Sequence, residues 1–398
     1  MPLCAIVVQR LGLGLPKPPT RVRFPAIALL NFTHRVKSIS TIQHITLIIM
    51  LEIDSSRGEG GGQMVRTSVA LSVLTGITTH LTRIRENRPT NGLSRQHCAA
   101  IGAVAEMTGS QVEGNFSGSS ELVFRPGNEE NNHITLNIGT AGSISLVLQA
   151  IMLAARNYKN GLTVDIRGGT NVLWAPPIDS YQQILYPLMG RMGIEADAEI
   201  VERGFYPRGG GHVIATQNPI GTISPLNLSE LGELVAVRGI CFTQNLSDRI
   251  SREIVKSCVE VMKPYADAEI DTQISHGNSR GAGISLVAVF ENGMLGSNGL
   301  TTREYSAEKT GEDAANDLIK EMTSGATIDV HTADQLLPYM AMADGKSTFK
   351  VSNISRHLLS QMDTLETFLD VKFGVERKDD GYHFSVNPGA KNEAIHTG

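Results

Sequence analysis

Residues 61–76 read GGQMVRTSVALSVLTG, a run of helix-forming residues with apolar side chains at helical spacing, closed by a glycine. Glycine commonly follows the last turn of a helix, because it adopts the left-handed conformation there without strain. Two other stretches follow the same scheme, AGSISLVLQAIMLAARNYKNG at 141–161 and HTADQLLPYMAMADG at 331–345. Three matching helices, each predicted to end at its glycine, indicate an internal repeat.

The similarity continues beyond these helices. Each is followed by a β-rich segment, THLTRIREN, LTVDIRGG or STFKVSNIS, and then by a loop and a second helix. The second helices are predicted to end at Gly109, Gly193 and Gly374, and a hairpin-like pair of strands closes each unit. Helices that alternate with short strands predict an α/β (α+β) protein whose open sheets carry helices on one side.

The spacing of the repeats predicts an inserted domain. Gly76 and Gly161 are 85 residues apart, whereas Gly161 and Gly345 are 184 apart, an excess of 99 residues. The excess has strand and helix patterns of its own and can bury a small core. We therefore predict a large domain formed by 50–219 and 323–390, a small α/β domain at 220–322, and a C-terminal tail at 391–398.

The first 49 residues differ from the rest of the chain. They contain six basic residues and no acidic one, and without them the formal net charge falls from −5 to −11. An organelle transit peptide is one interpretation. We favour another, a non-native or disordered extension translated from upstream DNA, with Met50 as the natural start. Ordered patterning begins at Met50, and RVRFP at 21–25 can be back-translated into the conserved arm of a transfer-RNA gene.

Composition narrows the class of protein. The chain is 41% hydrophobic and 19% charged, as in ordinary globular proteins. Its four cysteines are scattered without a CxxC pair, which argues against a zinc site or a disulfide framework and predicts reduced thiols in the cytoplasm. No apolar run reaches the roughly 20 residues of a membrane helix. The acidic body argues against wrapping a long nucleic acid, yet it permits binding of one RNA end.

The loop SSRGEGGGQMVR at 55–66 has four glycines within five positions. Glycines allow close approach of the backbone to a ligand, and the following helix start offers N–H groups to an anion. The loop lacks the lysine of a P-loop, so a P-loop kinase is disfavoured. Glu59 would repel a phosphate unless a cation lay between them, which predicts a Mg²⁺ or Mn²⁺ ligand. A tight turn with a solvated glutamate is the alternative.

Arginines crowd the first unit. Their planar guanidinium groups suit bidentate binding of phosphate, although a solvated, mixed-charge surface is the alternative. Arg66 argues against that alternative, because a cation in the first turn of a helix opposes the helix dipole. The polar candidates here are Arg57, Arg66, Arg85, Arg88, Arg95 and Gln96.

Two histidines compete as nucleophile or base. In SNISRHLLSQMDTL at 352–365, Ser355 is the predicted N-cap and His357 lies two residues inside the helix. His331 begins the third repeated helix. A further loop, RGGTNVLWAPPIDS at 167–180, carries the only tryptophan, Trp174, which could stack on a base or secure the helix.

These motifs together resemble those of the RNA 3′-terminal phosphate cyclases. RGEGGGQ, GTAGS…LVLQ, GGT…APP, FYPRGGG, HTADQLLPYMA and HLL stand in that family's order and spacing, over about 50–388. The resemblance implies three repeated βαβαββ-like units, each a sheet with two helices, plus a small α/β insert. It also implies ATP-dependent conversion of an RNA 3′-phosphate to a 2′,3′-cyclic phosphodiester, with ATP as substrate and Mg²⁺ or Mn²⁺ as cofactor.

The resemblance also implies roles for individual residues. His357 matches the family's nucleophile, which accepts AMP, and Glu59 matches its metal ligand. His331 stands where relatives often have tyrosine, with adenine between it and Pro176. The remaining matches are to nucleotide contacts, at Gln149, Thr332, Ala333, Asp334 and Gln335, and to phosphate-contacting positions, at Arg66, Arg85, Arg88 and Gln96.

General physics supports His357 as the nucleophile. A nucleophilic imidazole must be neutral, and the positive end of a helix dipole lowers the pKa of a histidine placed there.

The expected partner is an RNA end with a terminal phosphate, with no membrane involved, and a homodimer is one assembly we consider. The alternative function is that of a non-catalytic, cyclase-like ribosome-assembly protein, but such relatives lack the nucleophilic histidine. A six-repeat carboxyvinyl transferase does not fit three units plus an insert, and a bare RNA-binding module would not need Glu59.

Overall fold

The computed structural model describes residues 50–58, 61–302 and 304–389. The predictions for 1–49, for Glu59 and for the tail at 391–398 lie outside the described residues. The first unit comprises β1 (Met50–Asp54), α1 (Gly62–Thr75), β2 (Thr78–Thr82), α2 (Arg95–Thr108), β3 (Gln111–Glu113) and β4 (Leu122–Arg125). Its sheet has the order β1-β2-β4-β3, and only β1 and β2 are parallel.

The second unit repeats this arrangement. It comprises β5 (His133–Asn137), α3 (Ile144–Ala154), β6 (Leu162–Gly168), α4, β7 (Ala196–Glu202) and β8 (Gly211–Gln217). Helix α4 consists of consecutive segments Ile178–Ser180, the π-helical Tyr181–Leu185 and Tyr186–Arg191. The sheet order β5-β6-β8-β7, with β5 and β6 parallel, is that of the first unit. The repeat predicted from the sequence is therefore confirmed.

The small α/β fold follows the second unit. It comprises β9 (Leu234–Gln244), α5 (Asp248–Met262), β10 (Ala268–Ser275), β11 (Gly281–Phe290), β12 (Met294–Leu300) and α6 (Ala307–Thr323). Its sheet has the order β10-β9-β11-β12. Cys241, Cys258 and Leu286 belong to a hydrophobic cluster separate from that of the repeated units.

The third unit comprises α7 (Val330–Met340), β13 (Ser347–Val351), α8 (Arg356–Phe368), β14 (Val371–Lys378) and β15 (Gly381–Pro388). Its described sheet has three strands, β13-β15-β14. Two backbone hydrogen bonds join Thr348 of β13 to the residues on either side of Asn227. The Thr348 amide donates to the Leu226 carbonyl, and the Thr348 carbonyl accepts from the Leu228 amide. The short stretch before the insert thus stands where the other units have their first strand, and the exact domain limits stay a prediction.

Helices from all three units pack together. Helix α1 contacts α3 and α8, and α7 contacts α3 and α8. Most residues of α1, α3 and α7 are buried, so these helices face other parts of the protein on nearly every side, and the buried residues include polar side chains such as Gln63, Arg66 and Asp334. This packing brings the starts of several helices close together. No described helix has both the length and the apolar character that crossing a lipid bilayer requires.

Some predicted helix ends are wrong. Helices α1 and α2 do end at Gly76 and Gly109, both left-handed. Helix α3 ends at Ala154, α7 at Met340 and α8 at Phe368, well before Gly161, Gly345 and Gly374. Gly374 lies inside β14, because Val371 and Phe373 alternate into the core and draw this segment into the sheet.

Candidate active site

His357 lies at the second position of α8. Ser355 is the N-cap, as predicted, and its side chain accepts a hydrogen bond of 3.0 Å from the Leu358 amide. Nδ1 of His357 lies 2.7 Å from Oε1 of Gln63 at the start of α1. A carbonyl oxygen only accepts, so Nδ1 carries the proton in this pair. The lone pair of a neutral imidazole is then on Nε2.

The surroundings of His357 favour its neutral form. Burial lowers its pKa below the ordinary value, and the cations Arg66 and Arg88 lower it further, while the Asp334 carboxylate acts in the opposite direction. The net shift is downward, so the imidazole is neutral at physiological pH. Its electrostatic partners come from the first and third units.

Arg66 is a buried cation close to this histidine. Only 5% of Arg66 is exposed, and Nη2 donates to Oε1 of Gln149 on α3 at 3.2 Å. Burial lowers its pKa to about 10, which leaves it charged at neutral pH. Nε has no hydrogen-bond partner among the described residues. A buried guanidinium with an unused donor is suited to an anionic ligand.

Asp334 brings a buried carboxyl group from α7. Burial raises its pKa to about 7 and Asp329 adds to the rise, while His357 and Arg66 act in the opposite direction. Asp329 is the N-cap of α7, and its carboxylate accepts from the His331 and Thr332 amides. Asp334 is therefore poised between two protonation states beside the candidate nucleophile.

The starts of α1, α2 and α3 also meet here. Gln96 on α2 accepts a 2.8 Å hydrogen bond from the amide of Ser143, the N-cap of α3. His97 packs so closely on α1 that a Cβ at Gly62 would collide with its Nε2. Burial, with Arg66 and Arg85, lowers the pKa of His97 to about 3, so this ring is neutral. Converging helix starts provide backbone N–H groups for an anion.

Two more predicted phosphate contacts follow β2. Arg85 has φ +56° and its Nη1 donates to the Gly92 carbonyl at 2.9 Å, which fixes the turn. Burial lowers the pKa of Arg85. Arg88 acts electrostatically on His357, as noted above. The turn after β2 thus holds Arg85 against the Gly92 carbonyl and brings the charge of Arg88 close enough to influence His357.

The predicted nucleotide contacts lie in different environments. Gln149 and Gln335 line one small cavity together with Tyr181 and Tyr339. Pro176 is half-buried, and its carbonyl accepts from Ser145 Oγ at 2.6 Å, which attaches the loop to the start of α3. These contacts place the Pro176 loop beside the converging helix starts.

The remaining predicted nucleotide contacts belong to the start of α7. His331 is exposed. Thr332 Oγ1 donates to Asp329 at 2.7 Å. Ala333 is fully buried, so it would act through packing and its main chain.

Sequence reasoning did not assign roles to Gln63 and His97. Gln63 ends the glycine-rich motif RGEGGGQ, and His97 directly follows Gln96 in the sequence. Gln63 and His357 are separated by 294 residues, so only the packing of the first unit on the third shows their contact. A polar residue at the second position of a buried helix was the available signal for Gln63.

A metal site is not apparent in the part of the chain that the structure describes. No group of three or more His, Cys, Asp or Glu there could hold an ion. The predicted ligand, Glu59, lies outside the described residues, so its role stays a prediction.

Comparison with known proteins identifies the family. The family model for RNA 3′-terminal phosphate cyclase matches residues 57–375. The RNA 3′-terminal phosphate cyclase of Methanosarcina barkeri is 40% identical over 342 residues, which cover 85% of this chain and 100% of the relative. That of Methanococcoides burtonii is 39% identical, with the same coverage, and that of Methanopyrus kandleri is 38% identical over 83% of this chain and 96% of the relative. The chain therefore belongs to the RNA 3′-terminal phosphate cyclase family.

Proposed function

We propose that this chain converts an RNA 3′-terminal phosphate into a 2′,3′-cyclic phosphodiester, with ATP as co-substrate and His357 as the carrier of AMP. The observation that carries the mechanism is the pairing of His357 with Gln63. It places the proton of a neutral imidazole on Nδ1 and the lone pair on Nε2, and the buried cation Arg66 helps to keep the ring neutral. The family membership supports the overall reaction, and this geometry supports the covalent route.

The first step transfers AMP to the protein. Nε2 of His357 attacks the α-phosphorus of ATP, an N–P bond forms, and the bond from that phosphorus to the bridging oxygen breaks to release pyrophosphate. The ring then becomes cationic with its proton still on Nδ1. The Gln63 carbonyl accepts from that N–H and stabilises the positive charge.

The second and third steps use the RNA. An oxygen of the 3′-phosphate attacks the phosphorus of the histidine adduct, the N–P bond breaks, and the RNA end becomes adenylylated. The neighbouring 2′-hydroxyl then attacks the activated 3′-phosphorus and expels AMP, with loss of the hydroxyl proton. The ribose already holds the hydroxyl beside the phosphorus, which favours ring closure by proximity.

Arg66, Arg85, Arg88 and Gln96 would bind the phosphates. The unused donor of Arg66 and the converging helix starts support this role. We propose nucleotide contacts for Gln149, Pro176, His331, Thr332, Asp334 and Gln335, with Ala333 contributing through the backbone. A bound Mg²⁺ or Mn²⁺ would neutralise phosphate charge, and Glu59 is the residue proposed to hold it. The proposed location is the cytoplasm and the proposed assembly a homodimer.

His331→Ala should raise the ATP concentration required for half-maximal adduct formation. Loss of one stacking partner is expected to cost about 0.5–1.5 kcal/mol, or roughly two- to tenfold in affinity. Rates of protein–AMP formation at several ATP concentrations measure this, with His331→Phe as the control that keeps a stacking ring. An adduct that disappears from His331→Ala at saturating ATP would contradict the assignment.

Asp334→Asn should shift the pH dependence of adduct formation toward lower pH. The ionised fraction of Asp334, whose pKa is about 7, favours imidazolium, so its removal lowers the pKa of His357 further and keeps the ring neutral in more acidic solution. Single-turnover rates from about pH 5 to about pH 8 measure the shift. The titration of ATP is common to both proteins and cancels in the comparison. An acid limb that moves to higher pH in the variant would refute this electrostatic coupling.

Cyclisation itself is tested with a 3′-phosphorylated RNA. The full chain, ATP and a divalent metal should make the terminal phosphate resistant to phosphatase, with one AMP and one pyrophosphate released per end. An RNA whose last ribose lacks the 2′-hydroxyl should accumulate as the adenylylated species. Conversion of that deoxy-terminated RNA into a phosphatase-resistant product that carries no adenylate would contradict ring closure through the 2′-hydroxyl.

A further inference from the structure

The only tryptophan of the chain is almost fully exposed. Trp174 has 97% of its surface accessible and a backbone φ of +66°, a conformation that bulky side chains rarely adopt. Exposure gives up the burial that usually stabilises a large aromatic ring, and the backbone conformation adds strain. Tyr206 is a second exposed aromatic, at 77%. The exposure of both rings and the unusual backbone conformation of Trp174 indicate side chains that are placed to contact a ligand.

The two aromatic residues lie on loops that are joined to each other. The amides of Thr170 and Asn171 donate to the Gly204 carbonyl at 2.9 and 3.2 Å, and Asn171 bridges to Phe205. Trp174 is three residues beyond that bridge and Tyr206 one residue beyond it. At 3.8 Å per residue, their Cα atoms are no more than about 20 Å apart. One short strand of nucleic acid can contact both rings.

These loops adjoin the candidate active site. Pro176, two residues after Trp174, is hydrogen-bonded to Ser145 at the start of α3. The Tyr206 loop packs on residues 140–141, so that a Cβ at Gly209 would lie 2.6 Å from the Thr140 carbonyl oxygen. The start of α3 is in turn bonded to Gln96. The loops that carry the exposed rings therefore lie beside the same converging helix starts as the phosphate-binding candidates.

The charge of this surface suits a polyanion. Residues 139–143, 169–177 and 204–210 contain no acidic residue, whereas the chain from Met50 onward has a formal charge of −11. Arg208 lies in the last stretch and donates to the Asn278 carbonyl, and Arg280 is exposed nearby in sequence. Glu202 lies beside them and accepts hydrogen bonds from Asn278, so two arginines against one carboxylate leave this aromatic surface with a small net positive charge. Such a surface on an acidic protein fits single-stranded nucleic acid, which binds through stacking and phosphate contacts.

The small α/β fold holds the Tyr206 loop in place. Ser279 Oγ accepts from the Phe205 amide at 2.9 Å, and the Phe205 ring packs so closely on Gly281 that no side chain would fit there. The loop is thus fixed by contacts with the second unit and with the small α/β fold, which reduces the ordering cost of binding a ligand.

We propose that Trp174 and Tyr206 form a stacking platform for the unpaired bases that precede the 3′-terminal phosphate of the RNA. The proposal rests on the proposed function, because it extends the substrate site from the terminal phosphate to the adjacent nucleotides. It also gives the small α/β fold a role, as the support of one half of the platform.

The intrinsic fluorescence of Trp174 tests the platform without any catalysis. Titration of the full chain, in the absence of ATP, with a single-stranded 3′-phosphorylated RNA of about eight nucleotides should quench this fluorescence in a saturable manner. With a labelled RNA, Trp174→Ala and Tyr206→Ala should each weaken binding roughly 5- to 150-fold, the range for loss of one stacked base. Trp174→Phe should retain most of the affinity, and Tyr265→Ala, another exposed tyrosine, is the matched control and should bind like the unmodified chain.

Adduct formation from ATP alone separates this proposal from the proposed function. Trp174→Ala should form protein–AMP at the normal rate at saturating ATP, since the platform contacts RNA only. Unchanged RNA affinity in both alanine variants would overturn the platform, and so would loss of the adduct in Trp174→Ala, which would place the ring in the nucleotide site. Failure of the unmodified chain to form an adduct, with RNA binding still dependent on both rings, would overturn the covalent mechanism and leave the platform standing.

Discussion

His357→Ala abolishes both protein–AMP formation and cyclisation of a 3′-phosphorylated RNA, if the site works as proposed. No other group in the mechanism accepts AMP, so the expected loss is complete and does not depend on ATP concentration. Labelled ATP measures the adduct and phosphatase resistance measures the product.

A chemically adenylylated RNA provides the control for this variant. His357→Ala should still cyclise such an RNA, at a reduced rate, because ring closure needs the positioned phosphate and the 2′-hydroxyl but no histidine nucleophile. A variant that retains the adduct would show that His357 is only a polar residue at the start of a helix. Failure to bind ATP or RNA would instead show that the substitution damaged the site.

Arg203→Met should destabilise the protein by about 3–5 kcal/mol, the cost of leaving a buried charge without its partner. Arg203 is 5% exposed, and its Nη1 and Nη2 donate to Asp179 at 2.9 and 2.7 Å. Nη2 also donates to Gln273 of the small α/β fold, and the guanidinium lies 4.2 Å from the Phe242 ring centroid. The pair of Arg203 and Asp179 therefore links α4 to the small α/β fold. Denaturant midpoints of the two proteins measure the loss in the free energy of unfolding.

Two further variants identify the cause of that loss. Replacing both partners, Asp179→Leu with Arg203→Met, should recover much of the stability, because no buried charge is left unpaired. Arg252→Met, which breaks an exposed pair with Asp248 on α5, should leave the midpoint almost unchanged. A double variant as unstable as the single one would show that packing, and not the unpaired Asp179, is responsible.

Much of the fold could be predicted because the repeat leaves local signals. Helix-closing glycines such as Gly76 and Gly109 depend on left-handed backbone geometry, and the excess spacing between Gly161 and Gly345 revealed an insertion. The end of α8 could not be predicted, because the strand character of Val371 and Phe373 depends on pairing with β15. Such tertiary effects override local propensity.

The candidate site also has features that the local sequence predicts and others that depend on tertiary packing. His357 could be placed from its helix start and motif, because capping by Ser355 is local. Its contact with Gln63 joins α8 of the third unit to α1 of the first, and the electrostatic influence of Asp334 comes from a different helix, α7. Neither interaction is local in the sequence, so no local pattern reveals it. The buried pair of Arg203 and Asp179 was missed for the same reason.

The most direct measurement is the location of AMP on the protein. The full chain is incubated with ATP and a divalent metal in the absence of RNA, digested under conditions that preserve an N–P bond, and its peptides are sequenced by mass spectrometry. The account predicts AMP on Nε2 of His357, in the peptide that contains SNISRHLLSQMDTL, and on no peptide of the His357→Ala variant. AMP on His331 or on a lysine, with His357 unmodified, would contradict it.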